Sequence, residues 1–394
     1  MSIVRKSVAI ITERIYPFYV GGSEKVMYDY ARILSLTNDV TVFTSFDQGK
    51  AKQELTNVKF VYPSKKIRKS NKIGNHNLIG ILSFSIETFL NRQRIKNFDI
   101  VILDSIHYFY PVSLLKSIKL NNTKVITIFH EAWYDYRMSS KFSTFLSYLM
   151  GIFIIRLIAY SDILISISDP TATSLINNYK AKREKVIIIP LGIDYDRITN
   201  HYQFLDIVNR RYDLLFVGRF AAIKRVGDII DAVSILVKEG RKLEIALIGD
   251  GPEKILLEQK IKELGISNRI HVFGFLNESE KYSIISNSKI FILPSEREGF
   301  SLSTLESMAL GCIPIVSRPK FDEVFGVSHF VKDGENGMYY SVGNVYELAK
   351  VVSNCLDNPE TAKLLSCKAM ETSKKYTITE MEKRISEVLQ NKIS

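Results

Sequence analysis

The stretch KIFILPSEREGFSLSTLESMALGCIPIVS (Lys289–Ser317) holds one full strand–helix–strand unit in 29 residues. It opens on a continuous apolar run, KIFILP (289–294), and closes on another, IPIVS (313–317). Ile- and Val-rich runs without polar alternation are how strands covered on both faces read. Between them STLESMALG (303–311) has helical spacing, with Ser303 or Thr304 as the expected N-cap. The first run ends in acid, glycine, acid. Glu298 lies in the loop, Gly299-Phe300-Ser301 turns the chain, and Glu306 lies eight residues after Glu298 on the first turns of the helix. At that spacing the two carboxylates can meet one ligand at different depths. Carboxylates accept paired hydrogen bonds from vicinal hydroxyls, and the N–H groups around 300–303, Ser301 and Leu302 included, suit a phosphate.

The same grammar extends in both directions. The first half carries the runs VAIITE (8–13), VTVFTS (40–45), VKFVY (58–62), DIVILDS (99–105), KVITIFH (124–130), DILISIS (162–168) and KVIIIP (185–190). The second half carries DLLFVG (213–218), LEIALIG (243–249) and IHVFGF (270–275) before the opening stretch. Amphipathic segments such as SEKVMYDYARILSL (23–36) and VGDIIDAVSILVKEG (226–240) fill the gaps. Alternating β and α segments predict parallel, doubly wound α/β sheets. A chain of 394 residues exceeds one typical core. The Ile/Val runs fade near 191–211, so we expect two Rossmann-like domains, 1–195 and 196–394, facing a cleft. The terminal helix, about 376–394, can pack on either domain.

Ligands of open parallel sheets bind beyond the carboxyl ends of the strands. The residues just past each strand are therefore informative. After the first come Gly21-Gly22 and Ser23, a glycine pair before an expected N-cap, which lets backbone N–H groups approach an anion. After the fifth comes His130, able to hydrogen-bond a substrate or shuttle a proton. Ser168-Asp169-Pro170 reads as a helix start. After the first strand of the second half, Gly218 permits the turn, and Arg219 and Lys224 stand five apart before a helix. Two cations there suit a diphosphate.

Charge is uneven. Residues 1–200 hold 27 Lys and Arg against 16 Asp and Glu, whereas 201–394 hold 26 against 26. The whole excess of +11 lies in the first half, with clusters at Lys65, Lys66, Arg68, Lys69, Lys72 and at Arg92, Arg94, Lys96. Such asymmetry suits an anionic membrane surface. Nucleic acid is disfavoured, because no RNA- or DNA-binding motif accompanies the charge. The apolar segment 145–162, interrupted by Arg156, reads as a buried helix or a membrane-contact helix. Cys312, Cys355 and Cys367 have no metal-ligand or disulfide spacing, and the first residues lack a signal-peptide pattern, so a cytoplasmic setting is expected.

FVGRFAAIKRVGDIIDAV, LIGDGPE, VFGFL, ILPSEREGFSLSTLESMALGCIPIVS and DGENGMYY, with YPFYVGGSEKVMYDYARIL and IIIPLGID in the first half, resemble the retaining, family 4 glycosyltransferases of GT-B fold. The likeness spans nearly the whole chain. It implies that Glu298 binds hydroxyls of a donor sugar and Glu306 the ribose of its nucleotide. It implies that Arg219 and Lys224 neutralise the diphosphate, that Gly21, Gly22, Gly218 and the 299–302 backbone cradle the donor, and that His130 lies near the sugar. It implies a nucleotide-sugar donor (UDP- or GDP-), a lipid-linked or glycan acceptor, and no metal or other cofactor. Ser301 departs from the family, which often has glycine or proline there. Other readings are a catalytically silent GT-B subunit, a nucleotide-sugar epimerase, a phosphorylase and a dinucleotide-dependent oxidoreductase. No G-x-G-x-x-G follows the first strand of either half, which disfavours the last.

Overall fold

The computed structural model describes residues 5–16, 22–45, 55–61, 78–105, 110–131, 141–200, 202, 206–318 and 325–393. The chain forms two compact units, Met1–Ile189 with Ile385–Ser394, and Pro190–Arg384.

Unit 1 holds a seven-stranded parallel sheet in the order β3-β2-β1-β4-β5-β6-β7. Its strands are β1 Ser7–Ile11, β2 Asp39–Phe43, β3 Val58–Val61, β4 Ile100–Asp104, β5 Lys124–Phe129, β6 Ile163–Ser166 and β7 Val186–Ile188. Unit 2 holds a six-stranded parallel sheet in the order β10-β9-β8-β11-β12-β13. These strands are β8 Tyr212–Val217, β9 Ile245–Ile248, β10 Ile270–Phe273, β11 Ser288–Leu293, β12 Ile313–Arg318 and β13 Met338–Ser341. The expected pair of doubly wound sheets is present. In each, the order reverses once, between β1 and β4 and between β8 and β11. That reversal is where such folds bind ligands.

The central strands are buried on both faces, as continuous apolar runs require. Ala9, Ile11, Val101, Leu103, Val125 and Phe129 pack with helix residues Leu114, Ile118 and Leu157 in unit 1. In unit 2, Leu214, Phe216, Ile290, Ile292 and Ile315 meet Val226, Ile229, Ile230 and Val233 of the helix Val226–Lys238. Each such Val, Leu, Ile or Phe side chain contributes about 1.5–3 kcal/mol when fully buried.

Three local expectations are corrected. Ser23 lies inside the helix Gly22–Ser35, where its hydroxyl donates to Glu24 rather than capping the start. The cap of the helix Leu302–Ala309 is Ser301, whose Oγ accepts from the N–H of Thr304 at 3.3 Å, so Ser303 and Thr304 lie inside. β13 is a short, half-buried edge strand that the apolar-run criterion missed. The helix Lys141–Tyr160 sends Ile154 and Leu157 into the unit 1 core while Ile155 is exposed, so its described half reads as a packed helix. No described helix is long and apolar enough to cross a membrane.

Candidate functional site

Gly218 follows β8 directly, and the chain passes through half-buried Arg219 into the short 3-10 turn Ala222–Lys224. Gly249, at the end of β9 with φ +149°, lies so close that a Cβ there would stand 1.9 Å from the carbonyl oxygen of Gly218. That close approach fixes where the β8 loop leaves the sheet. Arg225 follows in the left-handed region, φ 47°. It is held there by Asp228, on Nε at 2.8 Å and Nη2 at 3.1 Å, and by Glu296 on Nη1 at 3.0 Å. The Asp228 bond above all, with Glu296, raises the Arg225 pKa, so its charge is permanent.

The loop after β11 answers it. The N–H of Glu296 donates to Ile223 O at 2.9 Å, and the Lys224 ammonium pairs with the Glu298 carboxylate. Three ties therefore join the β8 and β11 loops across the reversal point of the sheet. Glu298 is also pinned by its backbone, its carbonyl accepting from the N–H of Gly326 at 2.7 Å. The Phe300 ring is buried against Phe330 and Tyr376, with centroids 5.1 and 6.2 Å away. The Phe300 ring is thus turned into the unit 2 packing, while Ser301 and Leu302 stay partly exposed. Ser301 sits at φ 69°, a left-handed turn that aims the chain into the helix carrying Glu306.

Glu306 takes partners the sequence did not signal. Tyr282 donates to its Oε1 at 2.9 Å and Lys281 to its Oε2 at 2.8 Å. Burial, with the Glu306 charge, drives the Tyr282 pKa far up, so the phenol keeps its proton.

In unit 1, His130 follows β5 and is buried. Its Nε2 stands 3.3 Å from Oδ1 of Asp104, at the end of β4. Thr12 Oγ1, just past β1, lies 2.9 Å from the other Asp104 oxygen. Tyr110 donates to the backbone carbonyls of Ile11 and Asp104 at 3.1 and 3.0 Å. Burial first, and then the Asp104 charge, raises its pKa. Glu13 and Arg14 are buried beside them in sequence. A polar cluster thus occupies the β1/β4 reversal of the first sheet. Sequence reasoning singled out only His130; the acid ending DIVILD was the signal for Asp104.

Lys224 and Glu298 are brought into contact, with Arg219 on the same loop as Lys224; Glu306 is held separately by its own helix neighbours. Gly22 opens its helix and is exposed, whereas Gly21 and the basic cluster 65–72 lie outside the described residues. No group of three or more His, Cys, Asp or Glu able to hold a metal occurs among the described residues.

Among curated proteins, the chain is 33% identical over 147 residues to an alpha-D-kanosaminyltransferase of Streptomyces kanamyceticus, covering 37% of each chain. It is 31% identical over 172 residues to an alpha-monoglucosyldiacylglycerol synthase of Acholeplasma laidlawii, covering 44% of this chain and 42% of that protein. The chain thus spans less than half the length of these relatives. Among solved structures, Anabaena HepE in complex with UDP and glucose superposes with TM-score 0.73 at 17% identity, covering 98% of this chain and 100% of that one. Sucrose-phosphate synthase of Thermosynechococcus elongatus superposes with TM-score 0.78 at 15% identity over 98% of both chains. These structures share the GT-B fold of two parallel-sheet α/β domains. Residues 20–197 match the family "Glycosyltransferase Family 4" and residues 198–372 match "Glycosyl transferases group 1", and the chain belongs to this group 1/family 4 class of GT-B glycosyltransferases.

Proposed function

We propose that the chain is a retaining, metal-independent hexosyltransferase, moving a sugar from a UDP- or GDP-sugar to a hydroxyl of a lipid-linked or glycan acceptor. The observation that carries this is the Lys224–Glu298 pair, with Arg219 on the same loop as Lys224, at the β8/β11 reversal. As the bond from C1 to the diphosphate breaks, charge develops on the leaving oxygen. Arg219, Lys224 and the N–H groups of Ser301 and Leu302 offset it there. The acceptor oxygen bonds to C1 on the same face, and its proton passes to the leaving phosphate. Glu298 orients the sugar, Glu306 binds the ribose, and His130 contacts the sugar.

The alpha products named for two relatives support retention from an alpha-linked sugar nucleotide. UDP in the HepE complex supports the donor class. The glycolipid named for the Acholeplasma relative supports a lipid acceptor. Exposed Ile86 and Leu90, followed by Arg92, Arg94 and Lys96, support peripheral docking on an anionic, cytoplasmic membrane face. At roughly 1 kcal/mol per basic residue near such a surface, docking would be salt-sensitive. Absence of binding to anionic liposomes at low salt rejects this part.

The test is thermal stability against UDP-, GDP- and ADP-sugars in EDTA, with Glu306→Ala beside the parent. A ligand at a hundred times its dissociation constant adds about 2.7 kcal/mol. A shift with one nucleotide, lost in the variant, supports the reading. No shift with any of them moves the weight to a silent subunit.

A further inference from the structure

Both oxygens of Glu306 are engaged, by Tyr282 and by Lys281. A carboxylate has about four lone-pair sites, so two remain for further donors. The helix Glu278–Ser286 that supplies both partners has a rigid start. Asn277 accepts from the N–H of Glu280 at 2.9 Å, and the Glu280 side chain accepts from the N–H of Asn277 at 3.0 Å. This capping box fixes the first turn, and Lys281 and Tyr282 come directly after it. The Tyr282 ring is buried and packs edge-on against Tyr202 at 6.0 Å. Lys281 Nζ lies 4.4 Å from the centroid of the same ring. Neither group has much freedom to turn away.

We infer that Tyr282 and Lys281 are positioning residues that hold the Glu306 carboxylate in one plane, so that its remaining lone pairs accept both hydroxyls of a ribose and the site selects ribonucleotides over 2′-deoxyribonucleotides. The inference rests on the donor reading above. A carboxylate free to rotate would trade one hydroxyl for water at little loss; a clamped one cannot. Removing the 2′-hydroxyl then leaves a partly buried acceptor unpaired. Tyr282 keeps its proton under burial and the nearby charge, so it remains a donor over the working pH range.

The experiment is calorimetric titration of the full chain with UDP and GDP and with 2′-deoxy-UDP and 2′-deoxy-GDP. The parent protein should favour the ribonucleotide about tenfold or more, as expected for a hydrogen bond to a charged group. Tyr282→Phe keeps the ring and its packing on Tyr202. It should weaken ribonucleotide binding about tenfold, bring the ribo/deoxy ratio close to one, and leave the melting temperature in place. Lys281→Met, at a side chain one-fifth exposed, should move the ratio the same way. A parent that discriminates, with both variants keeping its ratio, overturns the inference while the donor reading stands. Equal loss of both ligands with a lowered melting temperature shows a merely structural role and also overturns it. A parent that binds neither UDP nor GDP overturns the donor reading itself.

Discussion

Asp104 Oδ1 stands 3.3 Å from Nε2 of His130, and the two side chains are 5% and 8% exposed. The carboxylate comes from the end of β4 and the imidazole from the end of β5, neighbouring strands in register from Ile100 opposite Lys124. Nε2 of His130 has no hydrogen-bond partner among the described residues, so the carboxylate acts on the ring through its nearby charge. Asp104→Asn keeps the shape and removes the charge. We expect the transfer rate to fall about 100-fold, as for a displaced positioning group, with the donor's dissociation constant nearly unchanged. Steady-state rates beside equilibrium binding make the check; an unaltered rate removes Asp104 from the catalytic account.

Ser301 holds φ 69° while capping a helix with its hydroxyl. The left-handed region costs a non-glycine residue roughly 1–2 kcal/mol, and a serine cap returns about 1 kcal/mol. Ser301→Ala keeps the strain and loses the cap, so stability should drop by about 1 kcal/mol. Ser301→Gly loses the cap but relieves the strain, and should lie within about 0.5 kcal/mol of the parent. Denaturant titration of both variants decides it. A glycine variant as unstable as the alanine one would falsify the strain account.

The three cysteines should separate by reactivity. Cys367 is exposed, whereas Cys312 and Cys355 are buried. Burial pushes the Cys312 thiol up to about 12, against the lesser pull of Arg210, and the Cys355 thiol up to about 11. A thiol reagent at pH 8 should modify one cysteine quickly in the native protein and three after denaturation. The same shifts set an alkaline limit. The folded state keeps these thiols protonated, so their contribution is complete below the ordinary thiol value of 9.0 and is lost as pH rises toward 11–12. Buried Tyr30 and Tyr110 act with the same sign. Melting temperature should fall steadily above pH 9; a flat profile contradicts the burial of these groups.

Much of the fold was legible because parallel strands buried on both faces must be apolar throughout. Ile290–Leu293 could hardly be anything else, and its neighbours repeat the pattern. β13 escaped because Met338–Ser341 is half-buried at an edge and needs no such run. The candidate site was legible as residues following strands, but its contacts were not. Lys224 and Glu298 are 74 positions apart and meet only because β8 and β11 are adjacent in space. Tyr282 and Lys281 are 24 and 25 positions from Glu306, on a helix whose facing direction no local spacing reveals. The left-handed turn at Ser301 was hidden because serine is an ordinary cap, and nothing in its identity announces φ. Asp104 was passed over because an acid ending an apolar run reads as a solvated strand end, whereas here it is 5% exposed and faces a histidine.

The Lys224–Glu298 pair gives the sharpest separation of stability from chemistry. Their side chains are 24% and 14% exposed, so each is partly desolvated and balances the other. Lys224→Met alone leaves the Glu298 charge without its partner, and Glu298→Gln alone does the reverse. Each single change should lower stability, and the double change should recover part of the loss, with a coupling of about 0.5–3 kcal/mol. Activity should behave differently. If Lys224 meets the diphosphate as proposed, removing it should cost about 10²- to 10³-fold in turnover, and Glu298→Gln should not restore it. A double variant that regains stability without turnover assigns the pair to the reaction. One that regains both makes the pair a structural tie and moves the diphosphate's counter-charge to Arg219 alone.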